Sequence, residues 1–580
     1  MRAGLWLSGA LAGCWLLAGC GPRAAETIPA PPLPAAESPA SPAEPSRGPD
    51  SAGNISGIVV DDRGTPIAGA IVRLQASLNQ TASGESGAFA LMAPPGATSV
   101  TVSAWKEAYY CGNVTDVVPP ASGLTIVLRP VQTNDNPNYA WVPPVGENSC
   151  YSCKPGVTQV WLDSDAHGKS ATNLRFLTMY NGTDVLGRRS PSTRYAATRD
   201  YGRIPLLPDG TEPYYGPGYR LDFPDTSGNC AACHVPGAAV DAPYGTDANT
   251  VSGVDRFGIH CDYCHKVADV RLDPSTGAPY ANMPGVLSQD IRRPFPEDKA
   301  RYQLFFGTFD DDNVPMEDTY LPLIKESRWC APCHFGVFWD TVVYNSFGEW
   351  LASPYSEPAS GKTCQQCHMP APTVWEGQPI TNVAPGKAGV ERDPMAIPGH
   401  TFAGASSLEL LQNAVTLTAS ARRDGTRLVV DVTIVNDKTG HHVPTDSPLR
   451  QMILLVQAAA PNGGALALVD GPTIPDSGGV GDPEKGYYAG LPGTVYAKTL
   501  AELWTEVTPT GAYWNPTRIV SDNRLAAFAS DTNRFSFAAP DGPTQVSVRL
   551  LFRRAFKTLM DQKGWDVPDI EMARQTLEVP

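Results

Sequence analysis

The sequence predicts a multidomain chain: an N-terminal β-sandwich, a central mostly irregular and α region whose interior side chains alone do not fill, and a C-terminal β-sandwich. Three observations predict this division. Short alternating apolar runs punctuated by Gly and Pro occupy residues 55–131, the same patterning returns in 405–580, and between them, in 135–404, regular periodicity is lost while paired cysteines appear. At 580 residues, three folded units and a tether are the natural count.

The first strand candidates are Ile55–Val60, Ala70–Leu74, Ala88–Leu91, Ser99–Val102 and Leu124–Leu128, separated by turn signals such as Asp62-Arg-Gly-Thr-Pro66 and Ala93-Pro-Pro-Gly96. Within them, Ser56-Gly-Ile-Val-Val-Asp-Asp-Arg-Gly-Thr-Pro66 followed by Ser83-Gly-Glu-Ser-Gly-Ala-Phe89 resembles the carboxypeptidase regulatory-like domain. The resemblance implies a spacer or adhesion module without catalysis. Cys111 has no partner cysteine at a recognisable spacing and reads as a small buried apolar residue.

Five Cys-x-x-Cys pairs define the centre: Cys150/Cys153, Cys230/Cys233, Cys261/Cys264, Cys330/Cys333 and Cys364/Cys367. The residue behind each is Lys154, His234, His265, His334 and His368. Two thiols at this spacing form thioethers to one porphyrin and place the next residue under the iron, so the motifs predict five covalent c-type haems. Zinc would accept Cys-x-x-Cys but has no need of the following histidine, and a redox dithiol would occur once. The chain has nine histidines, and four stand directly behind a pair. Clusters such as Tyr214-Tyr-Gly-Pro-Gly-Tyr219 suit a chain that wraps haems, and without them this region is expected not to fold.

The remaining histidines, His167, His260, His400, His441 and His442, are the candidates for second axial ligands. Trp161-Leu-Asp-Ser-Asp-Ala-His167 resembles a segment of multihaem cytochromes of the cytochrome c554 kind, as do Pro398-Gly-His400 and Gly440-His441-His442-Val-Pro-Thr445. The resemblance implies His167, His400 and His441 as distal ligands, with His441 preferred over His442. His260 stands next to Cys261 and is expected to reach a neighbouring iron rather than its own. A primary amine binds iron only when deprotonated, so Lys154 must be desolvated. One Lys motif with four His motifs resembles the pentahaem cytochrome c nitrite reductases, which implies a catalytic haem at Lys154. No distal set of Arg, Tyr and His matches that family, and His167 follows Lys154 closely enough to close its iron. The closed haem is the preferred reading and the open one stays beside it.

Upstream, Arg2 and the apolar run to Ala18 end in Leu17-Ala18-Gly19-Cys20, which resembles a bacterial lipoprotein signal. It implies a signal peptide over 1–20, lipidation at Cys20, export and a lipid anchor in the cell envelope, with the outer membrane or cell surface expected. Residues 21–54, rich in Pro, Ala, Ser and Glu, read as a disordered tether.

Phe309-Asp-Asp-Asp-Asn-Val-Pro-Met-Glu-Asp318 gathers carboxylates that calcium would accept. Its spacing is not that of an EF-hand, and a solvated acidic loop is the plainer reading. In the last region, Arg427–Val435, Gln451–Val456 and Thr544–Phe552 are strands, and a ligand at His441 would tie this domain to the haems. Asp522-Asn-Arg524 and Arg553-Arg554 are expected to anchor loops or pair with haem propionates. A net charge of −15 without a basic stripe argues against nucleic acid and for a redox partner protein with a basic face. The expected function is electron transfer between redox partners or to an extracellular acceptor. Reduction of a small oxyanion such as nitrite at Lys154 is the alternative.

Overall fold

The computed structural model describes residues 53–164, 166–196, 204–295, 303–314, 317–539 and 541–580. The chain separates into two units, Met1–Gly48 and Pro49–Pro580, and all described residues belong to the second. The expected signal peptide, Cys20 and nearly all of the tether lie outside the described residues. Among those described, no helix is long and apolar enough to cross a membrane.

Seven strands form the first sandwich: β1 (Asn54–Asp61), β2 (Ile71–Leu74), β3 (Gln80–Ala82), β4 (Ala88–Met92), β5 (Val100–Trp105), β6 (Gly112–Val117) and β7 (Ala121–Leu128). They pair as β4-β1-β7 and β3-β2-β5-β6, with β1 parallel to β7. Alternation drives the burial: Phe89 and Leu91 of β4 face Val72 and Leu74 of β2 across a core that includes Ile126 and Leu128. The strands without a sequence signal, β3 and β6, are the edges of their sheet, where polar residues such as Gln80, Asn113 and Asp116 are tolerated. At Gly87 (φ +75°) a side chain would collide with the Val59 carbonyl, which accounts for the glycine in that turn.

This sandwich is docked on the acidic loop. Arg73 pairs with Asp310 at 2.5 Å, the Ala76 N–H donates to Asp311 at 2.7 Å, and Asn113 donates to Asp312 at 2.9 Å. Trp105 donates to Thr319 at 3.1 Å and meets Tyr320 edge-on at 4.8 Å. From the haem side Arg392 grips Asp311 through two nitrogens, at 2.8 and 3.1 Å. The described part of the loop is therefore not a solvated one: Asp310 and Asp311 neutralise arginines and, with Asp312, hold the sandwich in place. Cys111 is buried in this interface, 2 % exposed, and its thiol is pushed up by burial and by Asp318.

The central region carries four of the motifs on or beside short helices among α1 (Cys150–Cys153), α2 (Pro155–Ser164), α3 (Leu174–Asn181), α4 (Ala231–His234), α5 (Cys261–Cys264) and α6 (Cys364–His368), while Cys330–Cys333 lies in a turn. Small β pairings stand between them, such as Phe305–Gly307 beside Asp318–Tyr320 and Gly336–Phe338 beside Thr341–Tyr344, so the region is less irregular than its sequence suggests.

The second sandwich comprises β8 (Thr416–Asp424), β9 (Arg427–Val435), β10 (Gln451–Ala459), β11 (Leu468–Asp470), β12 (Gly493–Tyr496), β13 (Ser530–Ala538), β14 (Thr544–Arg553) and β15 (Ile570–Val579). Its sheets run β8-β9-β13-β11 and β12-β10-β14-β15. Leu428, Val430, Val432 and Ile434 of β9 point inward against Phe535 and Phe537. It grips the centre through Lys498, which donates to the Val342 and Val343 carbonyls at 3.2 Å, and through Trp514, which donates to Asp222 at 2.6 Å. Arg524 bridges Glu349 at 2.7 Å and Asp522 at 2.8 Å, and Arg553 bridges Asp569 at 2.7 Å and the Gly478 carbonyl. Arg524 and Arg553 are thus loop anchors with protein partners, and Arg554 is left apart from them.

Candidate haem-binding site

The short helices bring cysteines of different motifs together. Cys150 neighbours Cys261, Cys233 neighbours Cys333, and Cys330 neighbours Cys364. Tyr263 stands among Cys233, Cys264 and Cys333, so the five motifs form one contiguous array. Motifs one and three open into a shared cavity of about 1040 Å³, lined by both of their cysteine pairs together with Lys154, His265 and His400. A cavity of this size, with thiols at its wall and a nitrogen base behind each pair, fits porphyrin attachment.

Three of the four motif imidazoles are oriented through Nδ1, and the Nδ1 of His234 is buried without a partner. His265 bonds the Phe306 carbonyl at 2.6 Å, His368 the Ala403 carbonyl at 2.6 Å, and His334 the Asp446 carboxylate at 3.0 Å. Outside the motifs, His400 bonds the Pro398 carbonyl at 3.1 Å and His441 the His442 carbonyl at 2.9 Å. An Nδ1–H held by an oxygen leaves Nε2 as the metal-facing nitrogen. Burial pushes His234 and His400 down to about 4, and His167 to about 3 with help from His334, which keeps these rings neutral as ligation requires. At His334, burial acts downward but Asp446 outweighs it, holding the ring up at about 9. Burial likewise lowers Lys154, with Asp318 opposing.

Two imidazoles on opposite faces of one iron, each at a metal–nitrogen distance of about 2 Å, have ring centroids about 6.3 Å apart. Two histidine pairs have this centroid separation. His167 faces His334 at 6.2 Å with planes 56° apart, and His441 faces His368 at 6.3 Å with planes 21° apart. His167 rides on a turn tied to motifs two and three, where Ile259 N–H donates to the His167 carbonyl at 3.2 Å and Ser170 donates to the His234 carbonyl at 2.6 Å. It is therefore turned to motif four, away from the Lys154 motif that it follows in sequence. The His441 loop leaves β9 and is pinned by Asn436 and Thr439, which both donate to the His441 carbonyl at 2.8 Å.

The other candidates are placed differently. His400 lies in the shared cavity, close to both His265 and Lys154. His260 caps α5, its Nδ1 accepting from the Tyr263 N–H at 3.2 Å, while its buried Nε2 is directed at Gly237 and has no partner. It faces no motif imidazole. His442 turns to Glu349 at 3.4 Å. His234 has Phe176 stacked on its ring at 3.8 Å and 3°. Asp446 and Phe176 are functional neighbours that the sequence did not expose. Asp446 stands one residue beyond the Gly440–Thr445 segment, which was the available hint.

No family model matches the chain, and no curated protein matches it. Among solved structures it is similar to a penta-heme cytochrome c552 from Thermochromatium tepidum, with 17 % identity over 76 % of this chain and 100 % of that one, at a TM-score of 0.49. A type II cohesin–X-dockerin complex from Acetivibrio cellulolyticus matches 13 % of this chain and 56 % of that one at 21 % identity and a TM-score of 0.12. The Fcho1 Mu homology domain of Danio rerio matches 24 % of this chain and 39 % of that one at 13 % identity, also with a TM-score of 0.12. These likenesses are partial, and the functional reading rests on the motifs and the ring geometry.

Proposed function

We propose that the protein is an exported, lipid-anchored pentahaem c-type cytochrome that carries electrons between redox partners or to an extracellular acceptor. The observation that carries this reading is the pair of facing imidazoles, His167/His334 and His368/His441, each joining a Cys-x-x-Cys-His motif to a histidine far away in sequence. Each haem, when attached, supplies a one-electron Fe(III)/Fe(II) couple. The chain orients His334, His368 and His441 through Nδ1, lowers His167 and His368 by burial, and sets cysteines of different motifs beside one another. Such an array suits electrons moving among neighbouring sites. The two sandwiches clamp it from either side, and the overall negative charge suits a basic partner.

A second reading, reduction of a small oxyanion at Lys154, gains one specific support: His167 faces His334 and is not positioned to close the lysine site. His400 alone among the non-motif histidines shares the cavity with Lys154 and His265, and one imidazole serves one iron. Low-temperature EPR of the oxidised protein separates the readings. All-low-spin signals indifferent to nitrite are expected of the carrier. A high-spin signal that nitrite perturbs, and that a Lys154→His variant alters, would establish the reductase. For the anchor, a Cys20→Ala variant is expected to leave the membrane fraction, and its retention there would refute lipidation.

A further inference from the structure

Three arginines meet where the central region joins the second sandwich. The register of β10 and β14 sets Gln451 opposite Arg553, so the next position sets Arg450 opposite Arg554. The third, Arg175, comes from α3, whose Met179 packs with Leu449, Ala555 and Phe556, the chain neighbours of the other two. Like charges opposite one another at the end of a ladder are destabilising. Burial first, then Arg554 and Arg450, pull Arg175 down to about 10, and Arg554 is lowered by burial and by Arg450.

Among the described residues, none of the three forms an ion pair. Arg450 donates only to the Thr445 carbonyl, at 3.0 Å, and the Nε of Arg554 is buried without a partner. The carboxylate that Arg450 does influence, Asp446, is already bonded to His334. The adjacent Arg553 shows the contrast, with Asp569 engaged through two nitrogens. Three partly buried guanidiniums with no protein counter-charge call for an anion supplied from outside the polypeptide. Location narrows its source. Phe176, next to Arg175 on α3, stacks on His234, and Asp446, which Arg450 influences, bonds His334, so the elements that carry the cluster also reach the proximal residues of motifs two and four.

We propose that Arg175, Arg450 and Arg554 form a cradle for paired carboxylates, occupied by propionates of the haems attached at motifs two and four. This rests on the multihaem reading, which the haem content of the wild-type chain tests separately. A free inorganic oxyanion would satisfy the same guanidiniums, and the test distinguishes the two sources. Full-length holoprotein and its Arg554→Gln and Arg175→Gln variants are titrated spectroelectrochemically, with and without added sulfate.

Removing a cation beside propionates stabilises the ferric form. The variants are therefore expected to keep the wild-type number of haems, to lower the potential of at least one, and to be as insensitive to sulfate as the wild type. Should a Gln variant lose haem or fold poorly, Arg554→Lys, which keeps the charge but not the fork, is expected to show a smaller shift in the same direction. Wild-type potentials that move with sulfate, with the response lost in the variants, would overturn the propionate assignment in favour of a free-anion site. Potentials unchanged in every variant would overturn the cradle itself.

Discussion

In the C-terminal sandwich, Leu428, Val430, Val432 and Ile434 are completely buried beside Phe535 and Phe537, while the principal cluster of the central region mixes Ala171, Ala231, Ala232 and Ala239 with valines, Ile291, Leu323 and Tyr263. The sandwiches fill their interiors with branched and aromatic side chains. The centre has a smaller apolar cluster of its own, and beside it a cavity of about 1040 Å³ walled in part by four thiols, Lys154, His265 and His400. The difference teaches where each region draws its stability. Apolar burial contributes roughly 25 cal/mol per Å² in both, and in the centre the proposed haems would supply the area that the cavity leaves open.

The largest effect expected from this contrast follows from preventing haem attachment. Protein made without cytochrome maturation should be cleaved rapidly by protease within 135–404, while fragments holding 55–131 survive. Equal resistance of the centre with and without haem would break the comparison. Next in size is the Arg392–Asp311 pair at the seam, with side chains 6 % and 2 % exposed. Asp311→Ala leaves a buried guanidinium uncompensated and should cost about 3–5 kcal/mol, read as early unfolding in which the first sandwich separates from the loop. Inside the second sandwich, Ile434→Ala should cost about 2–5 kcal/mol in chemical denaturation with no haem lost.

The smallest effect is a pH dependence. Burial raises Glu349, but His442, Arg524 and Thr445 together hold it down at about 2, below its ordinary 4.5. A depressed carboxylate contributes stability above its unfolded pKa and loses it on acidification. Glu349 should therefore contribute up to about 3 kcal/mol above pH 4.5, lost as pH falls from 4.5 towards 2. A Glu349→Gln variant should show a flatter acid limb in urea titrations across that window. An unchanged acid limb would mean that Glu349 is not held by its partners.

The candidate attachment motifs stand out in the sequence because haem attachment is local chemistry: two thiols and the next residue decide it. Long strands with clean alternation, such as β9, were legible for the same reason. The pairing of His167 with His334 was not, because it depends on a turn held by Ile259 and Ser170, and nearness in sequence pointed to Lys154 instead. Nor does the sequence show that His260 caps a helix through Nδ1 while its buried Nε2 stays without a partner. The acidic loop looked like a solvent or calcium feature because its neutralising partners, Arg73 and Arg392, lie in distant segments. Edge strands β3 and β6 carry too few apolar residues to announce themselves.

Spectral variants sharpen the ring geometry. His441→Met should convert the sixth ligand of one haem and move its low-spin signal, whereas His442→Met should leave the signals unchanged. The most direct test of the account is the haem content of the purified full-length protein, measured by pyridine haemochrome against total protein. Five covalent haems per chain are predicted, with Lys154→Ala still retaining all five thioether-linked groups. A protein with the Cys-x-x-Cys motifs intact but no covalent haem, after expression with active cytochrome maturation, would contradict it.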